Sequence, residues 1–351
     1  MNNNRLHYLD YLRGFSALGI MFYHYLAWTL GAFNASNPIG RVGIYGVSIF
    51  YILSGLTLFY VYFNLEVNKK NIANFIVKRI FRIVPLFALI TILTVLTLNQ
   101  SVPIKNLILN ITCLFGFFTP AGYYTNGGWS IGNEMVFYLF FIFYFITYHK
   151  SKIVFYLMCL FTLIIYFYYS TSILTINNTL DSQWASYVNP FNQLFLFLTG
   201  ILIGIVSKII NIKIKQFQFV LIIIIGILIF VFYPTNFSDR IILVTNWSRL
   251  IFTLCCVLIC FGLYNLNYKL PNFIHKPGIF FAEISYCLYL VHGICFTYSK
   301  FILDTFLVNY SQMYRFGLSI ILTIAISYIS YISFEKYFIK QGKKLTQKLY
   351  E

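Results

Sequence analysis

Residues 217–234 read Phe-Gln-Phe-Val-Leu-Ile-Ile-Ile-Ile-Gly-Ile-Leu-Ile-Phe-Val-Phe-Tyr-Pro and contain no charged side chain. About 20 mostly apolar residues in a helix cross the hydrocarbon core of a bilayer. Counting this stretch, the sequence predicts ten membrane helices, near residues 11–31, 43–63, 80–98, 129–147, 152–170, 189–207, 217–234, 245–263, 280–299 and 313–334. The chain is 60% hydrophobic and 10% charged, whereas a soluble domain has about 25% charged residues.

The sequence therefore predicts an all-α fold, a polytopic membrane helix bundle of about ten transmembrane helices. A single membrane-embedded domain covers residues 1–351, and no appended soluble domain is expected, because the longest predicted loops (64–79, 99–128 and 171–188) are too short to form one. The stretch 104–119 lies between Pro103 and Pro120. It is predicted to be an interfacial or re-entrant segment that does not span.

The net charge of +16 is explained by topology. With both termini cytoplasmic, most of the 25 Lys and Arg residues fall in cytoplasmic loops, as the positive-inside rule requires. We therefore expect a multi-pass protein of the cell membrane whose partners include the lipid bilayer and no nucleic acid. The seven cysteines show no CxxC pair, and no two histidines have metal-ligand spacing, so no metal site is predicted.

Ionisable side chains inside a membrane are costly, so each is a candidate functional residue. The first predicted helix holds Arg13 near its cytoplasmic end and His24 near its middle. Eleven residues separate them, about three turns or 16 Å, so both project from nearly the same face. Asp10 is spaced to pair with Arg13. The structural alternatives are an interfacial anchor for Arg13 and an interhelical hydrogen bond for His24.

A pair of arginines, Arg79 and Arg82, lies just before and at the start of the third predicted helix, near residues 80–98. Their spacing of three residues places them on one helical face. Two guanidinium groups on one face can bind phosphates in bidentate fashion. The positive-inside rule alone does not favour Arg over Lys, so the pair is predicted to bind phosphate at the cytoplasmic side.

Glu134 and His292 complete the predicted set of candidate residues. Glu134 lies in the outer half of its span without a basic neighbour in sequence, so its partner is expected on another helix. It is predicted either to orient His24 or to bind an acceptor hydroxyl, with a structural hydrogen bond as the alternative. His292 is either a second acid-base group or a packing histidine.

Six stretches, in this order, then carry a family resemblance: Arg5-Leu6 through Asp10-Tyr11-Leu12-Arg13-Gly14, His24, Gly43 through Gly55, Arg79 through Pro85, Trp129-Ser130 to Glu134, and Ile284-Ser285-Tyr286 to His292. Together they resemble the acyltransferase 3 family of bacterial membrane O-acyltransferases. The resemblance implies ten spans and transfer from cytoplasmic acyl-CoA to an extracytoplasmic glycan or lipid-linked glycan. Family analogy favours acetyl-CoA as the co-substrate and leaves succinyl open.

The resulting hypothesis assigns Arg13, Arg79 and Arg82 to the CoA phosphates and His24 to the role of general base on a sugar hydroxyl. Direct transfer and an acyl-histidine intermediate both remain open. The main alternative is a transporter or flippase, because intramembrane His and Glu residues also form proton relays. The arginine pair argues against it, since transport of a glycan needs no site for CoA phosphates.

Overall fold

The computed structural model describes residues 7–98, 101–209, 215–235, 239–268, 270–307 and 309–348. Within these ranges the regular structure is entirely helical. The α-helices are α1 (His7–Leu30), α2 (Pro38–Tyr62), α3 (Lys69–Thr97), α4 (Ile104–Ile111), α5 (Phe115–Phe118), α6 (Gly128–Lys150), α7 (Lys152–Tyr168), α8 (Trp184–Tyr187), α9 (Pro190–Ile209), α10 (Gln216–Phe232), α11 (Asn246–Asn265), α12 (Asn272–Phe306), α13 (Gln312–Ser330) and α14 (Lys336–Lys348). Tyr169–Ile173 and Tyr331–Glu335 form π-turns, and Arg240–Val244 forms a 3₁₀ turn.

Every one of the ten predicted membrane helices coincides with an α-helix. Within the described ranges, eight helical stretches are long and apolar enough to cross a membrane: Pro38–Tyr62, Lys69–Thr97, Gly128–Lys150, Lys152–Ile173, Trp184–Ile209, Asn246–Asn265, Asn272–Phe306 and Gln312–Lys348. The other two predicted spans are α10, an apolar helix of 17 residues, and α1, which is long enough but contains Asp10, Arg13 and His24. The polytopic helical bundle is confirmed, whereas the side of the membrane that each end faces stays a prediction.

The stretch 104–119 forms two short helices instead of one span. Helix α4 has 8 residues and α5 has 4, and Cys113 between them adopts a positive φ of 59°. Eight residues of helix extend only about 12 Å, less than half of the hydrocarbon thickness. A Cβ on Gly116 would lie 2.1 Å from the carbonyl oxygen of Gly132, so α5 packs closely against α6. Each of the two helices is too short to cross a membrane by itself, in agreement with the prediction of an interfacial or re-entrant segment.

Two helices begin earlier than their apolar stretches predict. Helix α3 begins at Lys69, where the Asn68 side chain accepts a hydrogen bond from the Asn71 amide at 2.8 Å. Lys78 and Arg79 therefore lie inside α3 and not in a loop before it. Similarly, α12 has 35 residues. Apolarity marks only the part of a helix that contacts lipid, so the polar turns that extend beyond it were not predicted.

The C-terminal end of the bundle holds a helix that the sequence does not predict. A π-turn follows α13 and leads into α14, where a Cβ on Gly342 would lie 2.7 Å from Cβ of Phe81 on α3. Glu335 ends the π-turn and is 3% exposed, although it directly follows the last predicted membrane helix, near residues 313–334. The turn therefore directs a carboxylate into the bundle.

Glycines permit a very close helix contact between α2 and α9. A Cβ on Gly55 would lie 2.0 Å from the carbonyl oxygen of Phe197, and a Cβ on Gly200 would lie 2.0 Å from that of Ile52. Small residues are typical of membrane helices whose backbones approach closely. This contact fixes α2, which carries part of the candidate site.

Gly200→Leu is expected to destabilise the bundle by about 3 kcal/mol, because a side chain cannot fit against the α2 backbone without separating the helices. The matched control is Gly317→Leu on α13, where a Cβ would meet no atom within 4 Å. Gel filtration after heating of the detergent-solubilised protein measures the apparent melting temperature. Equal melting temperatures for both variants would contradict the expected role of the glycine contact.

Candidate active site

The two histidines predicted within the membrane lie against each other. Nδ1 of His24 on α1 is 2.9 Å from Nε2 of His292 on α12, and the two rings are nearly parallel, with an angle of 4° between them. His292 is 0% exposed, whereas His24 is partly exposed. The structure thus joins two candidate residues that are 268 positions apart in sequence.

The hydrogen bonds of this pair determine which nitrogen atoms carry protons. Nδ1 of His292 lies 2.6 Å from the carbonyl oxygen of Tyr289, and because a carbonyl only accepts, this nitrogen is the donor. Nε2 of neutral His292 is then an acceptor, so Nδ1 of His24 donates to it. Nε2 of His24 keeps a free lone pair and has no hydrogen-bond partner among the described residues. A general base requires such a lone pair.

Aromatic and hydroxyl groups hold the histidine pair in place. The Trp28 ring lies parallel to His24, with an angle of 7° and a centroid distance of 5.1 Å, and also parallel to His292. The hydroxyl of the buried Tyr25 donates to the carbonyl oxygen of His292 at 2.9 Å and contacts the Thr323 hydroxyl. Helices α1, α12 and α13 therefore fix both rings together.

Arg13 projects from α1 towards α2, into a cavity between the helices. Its Nη2 donates to the Thr57 hydroxyl at 3.2 Å. Its Nη1 lies 3.5 Å from the carboxylate of Asp10, so the pair predicted from the spacing is confirmed. Even partial desolvation of a guanidinium is costly, and these two contacts offset part of that cost.

Arg79 and Arg82 line the same cavity from α3, so the structure brings the three predicted phosphate-binding arginines together. The Arg79 guanidinium lies near the rings of Phe75 and Tyr138, and its buried Nε has no hydrogen-bond partner in the described part of the chain. No hydrogen bond or ion pair is found for Arg82 within the same ranges. Guanidinium N–H groups without hydrogen-bond partners are suited to bind an anion.

Glu134 is directed into this cavity and not towards His24. Its Oε1 accepts hydrogen bonds from the Ser54 hydroxyl at 2.8 Å and from the Tyr138 hydroxyl at 2.6 Å. One partner thus lies on α2, as expected for a neighbouring helix, and the other lies one turn along α6 itself. Of the two functional roles left open for Glu134, the geometry does not support orientation of His24, because His292 is the ring's hydrogen-bond partner.

The cavity has a volume of about 170 Å³ and extends along the bundle. On α2 its lining runs from Thr57 beside Arg13 to Phe50, and on α6 from Tyr138 beside Arg79 to Ser130. Seven or eight helical residues correspond to about 11–12 Å. The cavity therefore has a cationic end with three arginines and, about 11 Å away, an aromatic end near the histidine pair.

The aromatic end contains residues that the sequence analysis did not select. Tyr289 lines the cavity, and its ring centroid lies 6.0 Å from that of His292. Its hydroxyl donates to the carbonyl oxygen of Gly127 at 3.0 Å and contacts the Ser130 hydroxyl at 2.8 Å. A tyrosine in a chain with 30 tyrosines gives no signal by itself. Its position three residues before His292 was the only available indication.

Glu335 is a second buried acid near the arginines. The Cys287 thiol donates to its Oε2 at 3.1 Å, and its carboxylate attracts the guanidinium of Arg82 electrostatically. The carboxylates of Glu335 and Glu134 thus balance part of the positive charge of the cavity. Within the described residues, no group of three His, Cys, Asp or Glu side chains is arranged to hold a metal ion.

These helices and side chains define a polytopic membrane protein with a cationic cavity beside a buried histidine pair. The family model described as an acyltransferase domain matches residues 6–332 of the chain. The chain therefore belongs to the acyltransferase 3 family and is an acyltransferase that transfers groups other than amino-acyl groups. No curated protein and no solved structure matches it. Of the stretches that resembled the family, Arg5-Leu6 lies outside the described residues.

Proposed function

We propose that this protein is a membrane O-acetyltransferase that moves an acetyl group from cytoplasmic acetyl-CoA to a hydroxyl of a cell-surface or exported glycan. The observation that carries the proposal is the arrangement of one elongated cavity, with Arg13, Arg79 and Arg82 at one end and the His24–His292 pair beyond the other. An acyl-CoA donor has phosphates at one end and a reactive thioester at the other. The arginines match the phosphates, and the histidine pair matches the thioester.

The cationic end is assigned to the donor phosphates. Arg79 and Arg82 retain guanidinium N–H groups without partners in the described part of the protein, and phosphate accepts such groups in bidentate fashion. The predicted topology puts this end at the cytoplasmic face, where acyl-CoA is available. A cavity of about 170 Å³ is smaller than typical sites for drug-sized ligands, about 300–1,000 Å³, so the adenosine of the donor is expected to remain outside it while its phosphates contact the arginines.

His24 is assigned the role of general base. Its Nε2 takes the proton of the acceptor hydroxyl as the oxygen attacks the thioester carbonyl. When the carbon–sulfur bond breaks, the same proton passes from His24 to the departing CoA thiolate. The hydrogen bond from His24 to His292 keeps Nε2 as the reactive nitrogen and orients the imidazolium that forms during the reaction.

Glu134 and His292 are assigned to support this chemistry. Glu134 is fixed by Ser54 and Tyr138, within the cavity that the donor enters, so its carboxylate holds the arginines in register or receives a polar group of a substrate. His292 accepts the hydrogen bond from Nδ1 of His24 and so keeps the proton on that nitrogen. The acceptor glycan, lipid-linked or free, approaches His24 from the side opposite the arginines, in the outer half of the cell membrane.

The test is transfer of labelled acetyl from acetyl-CoA to glycan, in membranes of producing cells that contain the native acceptor. We expect incorporation that depends on the protein, together with binding of CoA to the purified full chain. Incorporation without CoA binding would point to another donor. Absence of both, with the acceptor shown to be present, would overturn the proposal and favour the transporter alternative.

A further inference from the structure

The last helix, α14, carries a single sign of charge on the face that it exposes. Residues 336–348 contain five lysines and no acidic residue. At about 100° per residue, the lysines fall within an arc of about 140°, opposite the buried Gly342 and Thr346. All five lysines are exposed: Lys336, Lys340, Lys343, Lys344 and Lys348. Acyl transfer in the cavity assigns no role to this dense positive surface.

The helix before α14 brings the chain to the surface of the membrane. Helix α13 has 19 residues and extends about 28 Å, close to the thickness of the hydrocarbon core. The π-turn Tyr331–Glu335 follows it directly. Helix α14 therefore begins where the last span ends.

The start of α14 is fixed at the depth where the apolar stretch of α3 begins. The carboxylate of Glu335, next to the first residue of α14, accepts a hydrogen bond from the Cys287 thiol on α12. The neighbouring Tyr286 donates its hydroxyl to the carbonyl oxygen of Ile83 on α3 at 2.8 Å. Glu335 thus lies near the level of Ile83, four positions into the predicted apolar stretch 80–98.

The middle of α14 lies at nearly the same depth. Gly342 is seven residues beyond Glu335, about 10 Å along the helix. A Cβ on Gly342 would lie 2.7 Å from Cβ of Phe81, only two positions before Ile83. Two points of α14 about 10 Å apart therefore meet the same short part of α3. Helix α14 crosses α3 near the membrane surface instead of extending along it into water.

Helix α14 also exposes apolar side chains. Tyr337 is 54% exposed and Leu345 is 39% exposed. A helix that combines a lysine-rich face with exposed aromatic and aliphatic side chains is typical of helices that lie in the membrane interface, where the apolar groups reach the acyl boundary and the lysines reach the headgroups.

From this placement we infer that α14 is an interfacial helix whose lysines bind the headgroups of anionic phospholipids. Charge complementarity and position both assign this occupant, because a membrane surface is the anionic partner that lies at the depth of Phe81. Lysine is a compact charge on a flexible stem, and it can follow the phosphate groups of mobile lipids. The inference is independent of the proposed function, since it involves neither the cavity nor a donor.

The experiment measures the dissociation constant of fluorescently labelled phosphatidylglycerol for the purified full chain in neutral detergent micelles, with labelled phosphatidylcholine as the reference without net charge. Wild-type protein is expected to bind phosphatidylglycerol more tightly, with a difference that decreases at high salt. Each lysine near an anionic lipid surface contributes about fivefold. The double variant Lys340→Gln, Lys344→Gln is therefore expected to weaken binding of phosphatidylglycerol by at least about fivefold. The double variant Lys340→Arg, Lys344→Arg keeps the charge and is expected to bind as the wild type does.

The matched control is Lys105→Gln, Lys300→Gln, which removes the same charge at two exposed positions on α4 and α12. Its dissociation constant is expected to equal that of the wild type, and gel filtration shows that each variant is folded. Equal binding of the two lipids by the wild type would overturn the inference. Equal weakening in the α14 variant and in the control would also overturn it, because the preference would then reflect net charge alone.

Discussion

Membranes that carry His24→Ala are expected to transfer acetyl from acetyl-CoA at a rate reduced by about 10²–10⁴-fold, the usual contribution of a general base. The expectation follows from the free lone pair on Nε2 of His24, which the bond from its Nδ1 to His292 leaves as the basic atom. Alanine removes that atom without inserting bulk. The cationic cavity is untouched, so CoA binding is expected to stay at the wild-type level.

The control for this result is His149→Ala. His149 is at the end of α6 and lies near the ring of Phe63, away from the cavity. The His149→Ala variant lacks one imidazole but keeps the His24–His292 pair, so its transfer activity is expected to match that of the wild type. Normal transfer by folded His24→Ala protein would exclude His24 as the base.

The double variant Arg79→Gln, Arg82→Gln is expected to raise KM for acetyl-CoA by a factor of 100 or more. A hydrogen bond to a charged group contributes about 1.5–3 kcal/mol, and two such arginines are lost together. The double variant Arg79→Lys, Arg82→Lys is expected to have a KM between those of the wild type and the Gln variant, because lysine keeps the charge and loses the bidentate geometry. Turnover at saturating donor is expected to change much less, because these groups bind the part of the donor that does not react.

The matched variant is Lys69→Gln, Lys78→Gln. It removes the same charge from the same helix, at two exposed positions outside the cavity lining. KM and the dissociation constant of CoA, measured by calorimetry on the purified protein, are expected to stay at wild-type values. Equal increases in KM for both double variants would mean that general surface charge, and not the arginine pair, attracts the donor.

The sequence predicts the bundle well, because each membrane helix must satisfy its backbone hydrogen bonds internally and present apolar side chains to lipid. The same physical condition identified His24, His292 and Glu134, since ionisable groups at membrane depth are rare in a chain with only 10% charged residues. Arg79 and Arg82 were identified from their spacing on one helical face. The apolar environment of the membrane therefore made it possible to predict both where the helices lie and which ionisable residues within them are candidates.

Contacts between helices that are distant in sequence could not be predicted from this property. The bond between His24 and His292 depends on how α1 packs against α12, and no local spacing encodes it. Tyr289 is one of 30 tyrosines and differs from the others only by its neighbours. Glu335 directly follows the last apolar stretch, so nothing in the sequence indicates that the π-turn directs its side chain into the bundle. Helix α14 is polar, so apolarity does not reveal it.

The direction of the hydrogen bonds in the histidine pair determines whether protons can leak across the membrane through it. The row of hydrogen bonds runs from His24 through His292 and ends at the carbonyl oxygen of Tyr289. A carbonyl cannot pass a proton onward, and ring rotation is opposed by the packing of Trp28 and Tyr25. A proton taken at Nε2 of His24 can therefore leave only by the way it came. If His24 is the base, as proposed, the pair would catalyse at membrane depth without conducting protons down the transmembrane potential.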